Sequence, residues 1–175
     1  TTAADSSARG NDGVLKNYDA TQTQTGWVST GLSSFSFENT GALDFDGADD
    51  YIEMPNESDF DFDRTDPFAI SIWMKSDQVT TGMDAYIFSK LYTPAWGDWA
   101  GYYIGCLTKT TGVIRWILEA NDWPSYNSVI DGTTKVNDNE WHHVTVMNEG
   151  IDGSASDMSI YIDGEKESVA VLSDD

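Results

Sequence analysis

Apolar side chains in this chain recur at every second residue, in short runs divided by Gly, Asp, Asn and Pro. Phe68, Ile70, Ile72 and Met74 share one face of an extended segment. Met158, Ile160 and Ile162 share another, with Ser159 and Tyr161 opposite. Successive side chains of a strand point to opposite faces, so period-two patterning is the mark of a half-buried strand. On this basis the candidate strands are 34–37, 42–45, 51–54, 68–75, 85–90, 101–108, 113–119, 141–148, 158–163 and 168–172. Tight turns separate several of them. Asp46-Gly47-Ala48-Asp49 divides two runs, Thr110-Thr111-Gly112 divides two longer ones, and Asp163-Gly164 is a strong hairpin signal. Many short strands with regular turns predict an all-β, antiparallel sandwich or barrel. Without an internal repeat or a low-complexity linker, residues 1–175 read as a single domain.

Charge then narrows the possible partners. Nine basic residues face 30 acidic ones, for a net charge of −21. A hydrophobic content of 39% and seven Trp mark a folded chain despite that charge. Nucleic acid would be repelled, and no basic stripe offsets the repulsion. An anionic membrane surface is disfavoured for the same reason. No apolar run reaches the length of a membrane span, so no membrane insertion is expected. Of the acids 22 are Asp, many beside Gly, Asn or Ser, which is a turn composition and also the raw material of calcium sites. Cys106 is the one cysteine, so an intrachain disulfide is impossible. Its apolar surroundings predict a buried small hydrophobe.

Trp73, Trp116 and Trp141 fall inside strand runs and suit the core or a sheet surface. Trp96, Trp99 and Trp123 lie instead in segments 92–100 and 121–127, which read as loops and also hold Tyr92 and Tyr126. Both segments mix aromatic faces with short polar side chains. A sugar ring needs that combination, an apolar face to stack on and polar groups to meet its hydroxyls. The same residues equally suit the edge of the core or a contact with a neighbouring subunit.

Five blocks in order resemble the laminin-G-like domains of the concanavalin A-like lectin/glucanase superfamily. Asp5-Ser6-Ser7-Ala8-Arg9-Gly10-Asn11-Asp12-Gly13 is similar to the family's D-S-S-G-x-G-N-D-G opening. The run Leu43-Asp44-Phe45-Asp46-Gly47-Ala48-Asp49-Asp50-Tyr51-Ile52 resembles L-x-F-D-G-x-x-D-Y-V. Phe68-Ala69-Ile70-Ser71-Ile72-Trp73-Met74-Lys75 resembles F-T-I-S-x-W-V-K. Glu140-Trp141-His142-His143-Val144 and Ile160-Tyr161-Ile162-Asp163-Gly164 are similar to x-W-H-H-V and L-Y-V-D-G. The resemblance implies a concanavalin A-like jelly roll. Ala8 stands where the family prefers Gly, and the family's opening and closing strand patterns do not occur. The chain is therefore expected to be a fragment of a larger one, lacking its terminal strands.

The superfamily includes glycan-degrading enzymes. Their strand-borne E-x-D-x-E run, which sets nucleophile and acid about 5–5.5 Å apart, does not occur here. Arg9, Arg64 and Arg115 are scattered, and no nucleophile elbow accompanies His142 and His143. Those two histidines point to opposite faces of a regular strand and cannot both grip one ion. No catalytic residue is expected. The resemblance does imply calcium held by loop oxygens, with Asp5 and Asn11 the first candidates and Asp12 and Asp49 behind them; Asx-turns use the same residues. Together these readings imply a non-catalytic extracellular module at a cell or virion surface. It would bind glycan or polysaccharide through Tyr92, Trp96, Trp99, Trp123 and Tyr126. The competing reading is a structural role, as a virion decoration or a surface-layer or filament component contacting other protein subunits. A glycan-degrading enzyme of the same fold is the third.

Overall fold

The computed structural model describes residues 2–3, 9–17, 27–28, 41–55, 57–78, 85–92, 100–106, 111–119 and 127–174. The chain divides into two compact units, Thr1–Asp59 and Phe60–Asp175. In the first, β1 (Thr2–Ala3), β2 (Gly13–Lys16) and β5 (Tyr51–Glu53) form one antiparallel sheet in that order. A two-stranded sheet pairs β3 (Trp27–Val28) with β4 (Ala42–Leu43). Gly13 is buried where a Cβ would stand 2.5 Å from Ile52, so the β2–β5 contact needs glycine there.

The second unit is a sandwich. Its strands are β6 (Phe68–Lys75), β7 (Ala85–Tyr92), β8 (Ala100–Cys106), β9 (Val113–Glu119), β10 (Asn127–Lys135), β11 (Trp141–Asn148), β12 (Met158–Ile162), β13 (Glu165–Lys166) and β14 (Ala170–Asp174). A five-stranded sheet runs β14-β10-β9-β8-β7 and a four-stranded sheet runs β13-β12-β11-β6, with all pairs antiparallel. Alternation dictates what each sheet buries. Tyr102, Ile104, Trp116, Leu118 and Ile130 from the first meet Val144, Val146, Ile160 and Ile162 from the second in one core. Cys106 is 2% exposed within it, as its apolar run predicts. Phe68, Ile70, Ile72 and Met74 close the core from β6, the outermost strand of its sheet among the described residues.

Strands β6, β9 and β11 match the sequence reading residue for residue. The Asp163-Gly164 hairpin has φ of 54° and 88° at its two residues, the left-handed pair that this tight turn requires. Several boundaries differ. Strand β4 stops at Leu43, and the last strand begins at Ala170 rather than at 168. Tyr92, read as loop, is the last residue of β7, because the ladder to β8 extends to Tyr92↔Ala100. Strand β10 was not expected at all. Its Asp131-Gly132-Thr133-Thr134 stretch reads as a turn, yet Arg115 on β9 forks onto Asp131 with Nε–Oδ1 and Nη2–Oδ2 distances of 2.7 and 2.9 Å. Glu167 takes the amides of Thr133 and Thr134 at 2.6 and 2.7 Å. The expected strand at 34–37 lies outside the described residues.

Candidate functional site

The registers align one end of the five-stranded sheet. Tyr92 pairs with Ala100, Gly101 with Glu119, and Glu119 with Asn127. The connections 93–99 and 120–126 therefore leave from adjoining strand ends, and neighbouring strands lie only about 4.8 Å apart. Those connections carry Trp96, Trp99, Trp123 and Tyr126, which lie outside the described residues.

A cleft of about 250 Å³ opens at this end, lined by Asp61, Phe62, Asp63, Lys90, Tyr92 and Tyr102 among others. Tyr92 is 64% exposed and Phe62 38%, so both rings offer a face to solvent. Phe62 is held in place by stacking on Phe68 with ring centroids 4.7 Å apart. Lys90 Nζ meets Asp61 at 2.8 Å. Tyr102 closes the floor, its hydroxyl donating to the Phe60 carbonyl at 2.8 Å. Burial, and then the charge of Asp61, push that phenol up to about 12, so it stays a neutral donor. Burial likewise pushes the Glu119 carboxyl up. Gly101 makes the site's geometry possible: its φ is 121°, and a Cβ there would stand 2.0 Å from the Lys90 carbonyl.

Of the five aromatic residues expected to bind, the structure thus places Tyr92 in the cleft. Asp61, Phe62, Asp63 and Lys90 were not expected there. For Asp61, Phe62 and Asp63 the sequence signal is the alternation Asp59-Phe60-Asp61-Phe62-Asp63, which runs out of the short 3-10 helix Glu57–Phe60.

A family model described as the concanavalin A-like lectin/glucanases superfamily, of the laminin-G type, matches residues 46–175. The chain belongs to this superfamily. Comparisons with curated proteins and with solved structures each return no significant match.

Two further polar clusters lie in the part of this laminin-G-like chain that the family model matches. In the first unit, Asp46, Asp49 and Asp50 bring carboxylate oxygens within 4.8 Å of one another. Ligands around calcium sit 2.3–2.6 Å from the ion, so oxygens that close can share one, and an all-oxygen set fits that ion. The turn orients them itself. Asp46 Oδ1 accepts the Ala48 amide at 2.8 Å, Asp50 Oδ2 accepts the Asp46 amide at 3.1 Å, and Asn17 Nδ2 donates to the Asp49 carbonyl at 2.6 Å. Asp49 was an expected ligand; Asp46 and Asp50 were not, though the spacing Asp46-x-x-Asp49-Asp50 carries the signal. Asp12, beside Asn11 just ahead of β2, is not one of the clustered carboxylates. Asp5 lies outside the described residues.

The histidine pair divides as strand geometry requires. His142 Nδ1 is 2.8 Å from Asp163 Oδ2 and its Nε2 is 3.2 Å from Asp138 Oδ1. His143 turns to the other face, with Nε2 2.6 Å from Ser71 Oγ and its ring 5.0 Å from Trp73. Partial burial works against the charged form of His142, but the bonds to Asp163 and Asp138 outweigh it and raise its pKa.

Proposed function

We propose that this chain is a non-catalytic, extracellular glycan-binding module. One observation carries the reading: two aromatic-rich connections spring from adjoining strand ends, beside a cleft that pairs exposed Tyr92 and Phe62 with carboxylates. Rings supply stacking faces and Asp61 and Asp63 supply hydroxyl acceptors, as pockets for sugars require. Membership of a superfamily that includes lectins supports the same reading. Glycan-array binding of the wild type, compared with Tyr92→Ala, tests the proposal. Retention of specific glycans that falls about ten-fold in the variant is expected; no retention by the wild type on any glycan removes the reading.

Calcium at Asp46, Asp49 and Asp50 is proposed as a stabilising ion. Melting temperature should rise with calcium over chelator, and the rise should vanish in Asp49→Asn; an equal melting temperature in both buffers removes the ion. A protein-contact role has one observation in its favour. Strand β14, outermost in its sheet among the described residues, exposes Val171 and Leu172 by 54% and 55%. Light scattering across a concentration series would show an assembly if that strand mediates one.

A further inference from the structure

The chemistry of the cleft also bears on which sugars it accepts, an inference resting on the glycan-binding reading above. The cleft has Asp61 and Asp63 in its wall, and Lys90 is the one cation among the described residues lining it. Lys90 is spent on Asp61 at 2.8 Å, with 22% of its side chain exposed against 60% for Asp61. Arg64, close by in sequence, turns its guanidinium inward, donating to Ser128 Oγ at 3.0 Å and to the Gly153 carbonyl at 2.7 Å. Elsewhere in this unit Arg115 is committed in the same way, forking onto Asp131. The local excess of carboxylate therefore adds to the global charge of −21.

We propose that the site takes glycans without acidic groups, and that it favours sugars bearing a protonated amine over their N-acetylated or neutral counterparts. A sulfate or uronate brought to this end would meet like charge and find no uncommitted basic partner among the described residues lining the cleft. Binding it would also carry the repulsion of the whole chain. A neutral ring meets no charge repulsion on approach and gains the stacking faces of Tyr92 and Phe62. An ammonium group gains further from Asp63, and from Asp61 wherever it displaces Lys90. Exposed pairs of that kind change affinity by about two- to five-fold each.

Isothermal titration in calcium-containing buffer would compare four oligosaccharide sets of equal length: neutral glucose, N-acetylglucosamine, glucosamine at pH 6, and heparin or uronate. Expected are binding of the first three, a several-fold preference for glucosamine over N-acetylglucosamine that shrinks as salt rises, and no binding of the acidic set. Asp63→Asn should lower that preference ratio, a readout that loss of folding would not mimic because both sugars would suffer equally. Acidic oligosaccharides bound as tightly as neutral ones, or a preference ratio of one in the wild type, would overturn this inference while leaving the glycan reading standing. Binding of none of the four sets would overturn both.

Discussion

His142 shows how a single side chain ties the sequence to a measurable pH response. The imidazole is clamped between Asp138 and Asp163, and Asp163 also holds the His143 amide at 2.8 Å through its other oxygen. Asp138 is itself kept below the usual carboxylate range, first by the Glu140 amide and then by His142, so it stays ionised as pH falls. A group whose folded pKa is raised stabilises fully below its unfolded value, near 6.5 for His, and that stabilisation fades as pH rises through the folded value. His142→Gln should therefore lower the melting temperature most at about pH 6, and the gap to wild type should narrow by about pH 8.5; a gap independent of pH would exclude the charged clamp. At Gly101 the constraint is steric. Gly101→Ala puts a Cβ against the Lys90 carbonyl at a φ that L-residues avoid, and should cost about 3 kcal/mol in urea denaturation. Trp116 is fully buried, and its indole Nε1 has no hydrogen-bond partner among the described residues. Trp116→Ala should cost about 3–5 kcal/mol, and Trp116→Phe markedly less, since it removes the unmet N–H along with the lost area.

At the scale of elements, β6 and β12 could be read from strict alternation, Phe68-Ile70-Ile72-Met74 and Met158-Ile160-Ile162; the β6 face is half-buried, and in β12 Ser159 opposite is buried as well. The central strand β9 was legible for another reason: its run Val113 to Leu118 is apolar almost throughout, as a strand flanked on both sides permits. Strand β10 lacked both signals. Its inward positions are Ser128, Ile130 and Gly132, and its last four residues, Gly132-Thr133-Thr134-Lys135, resemble a loop. What makes it a strand is non-local: the Arg115 fork, the partner strands β9 and β14, and the Glu167 carboxylate that takes two amides and the hydroxyls of Thr133 and Thr134. Those bonds outweigh partial burial and hold Glu167 below the usual carboxylate range, so its contribution is present above its ordinary pKa and is lost as pH falls through the lowered one. Glu167→Ala should cost about 1–2 kcal/mol and speed hydrogen exchange at Thr133 and Thr134 before any other part of the sheet.

The whole molecule carries a charge of −21, and self-repulsion of that size weakens the folded state until ions screen it. Raising sodium chloride from about 10 mM to about 200 mM should raise the melting temperature at neutral pH, against the usual weak effect on a near-neutral protein. The same charge, counted from residues alone, underlies the expectation that nucleic acid and anionic membranes are repelled. Residue order alone also determined the all-β class, most of the sandwich strands, the Asp163-Gly164 turn and the superfamily, because each rests on local periodicity, local turn geometry or a linear motif. The site was only half legible. Tyr92 stood out as an aromatic at a loop edge, and Asp49 as an acid in a turn. Nothing linear shows that Asp61, Phe62 and Asp63 face Lys90 and Tyr92 across a cleft, or that connections 93–99 and 120–126 leave from adjoining strand ends. Strand register decides those juxtapositions. It is set by pairing between segments far apart in the chain, and only the tertiary structure determines which side chains are brought together.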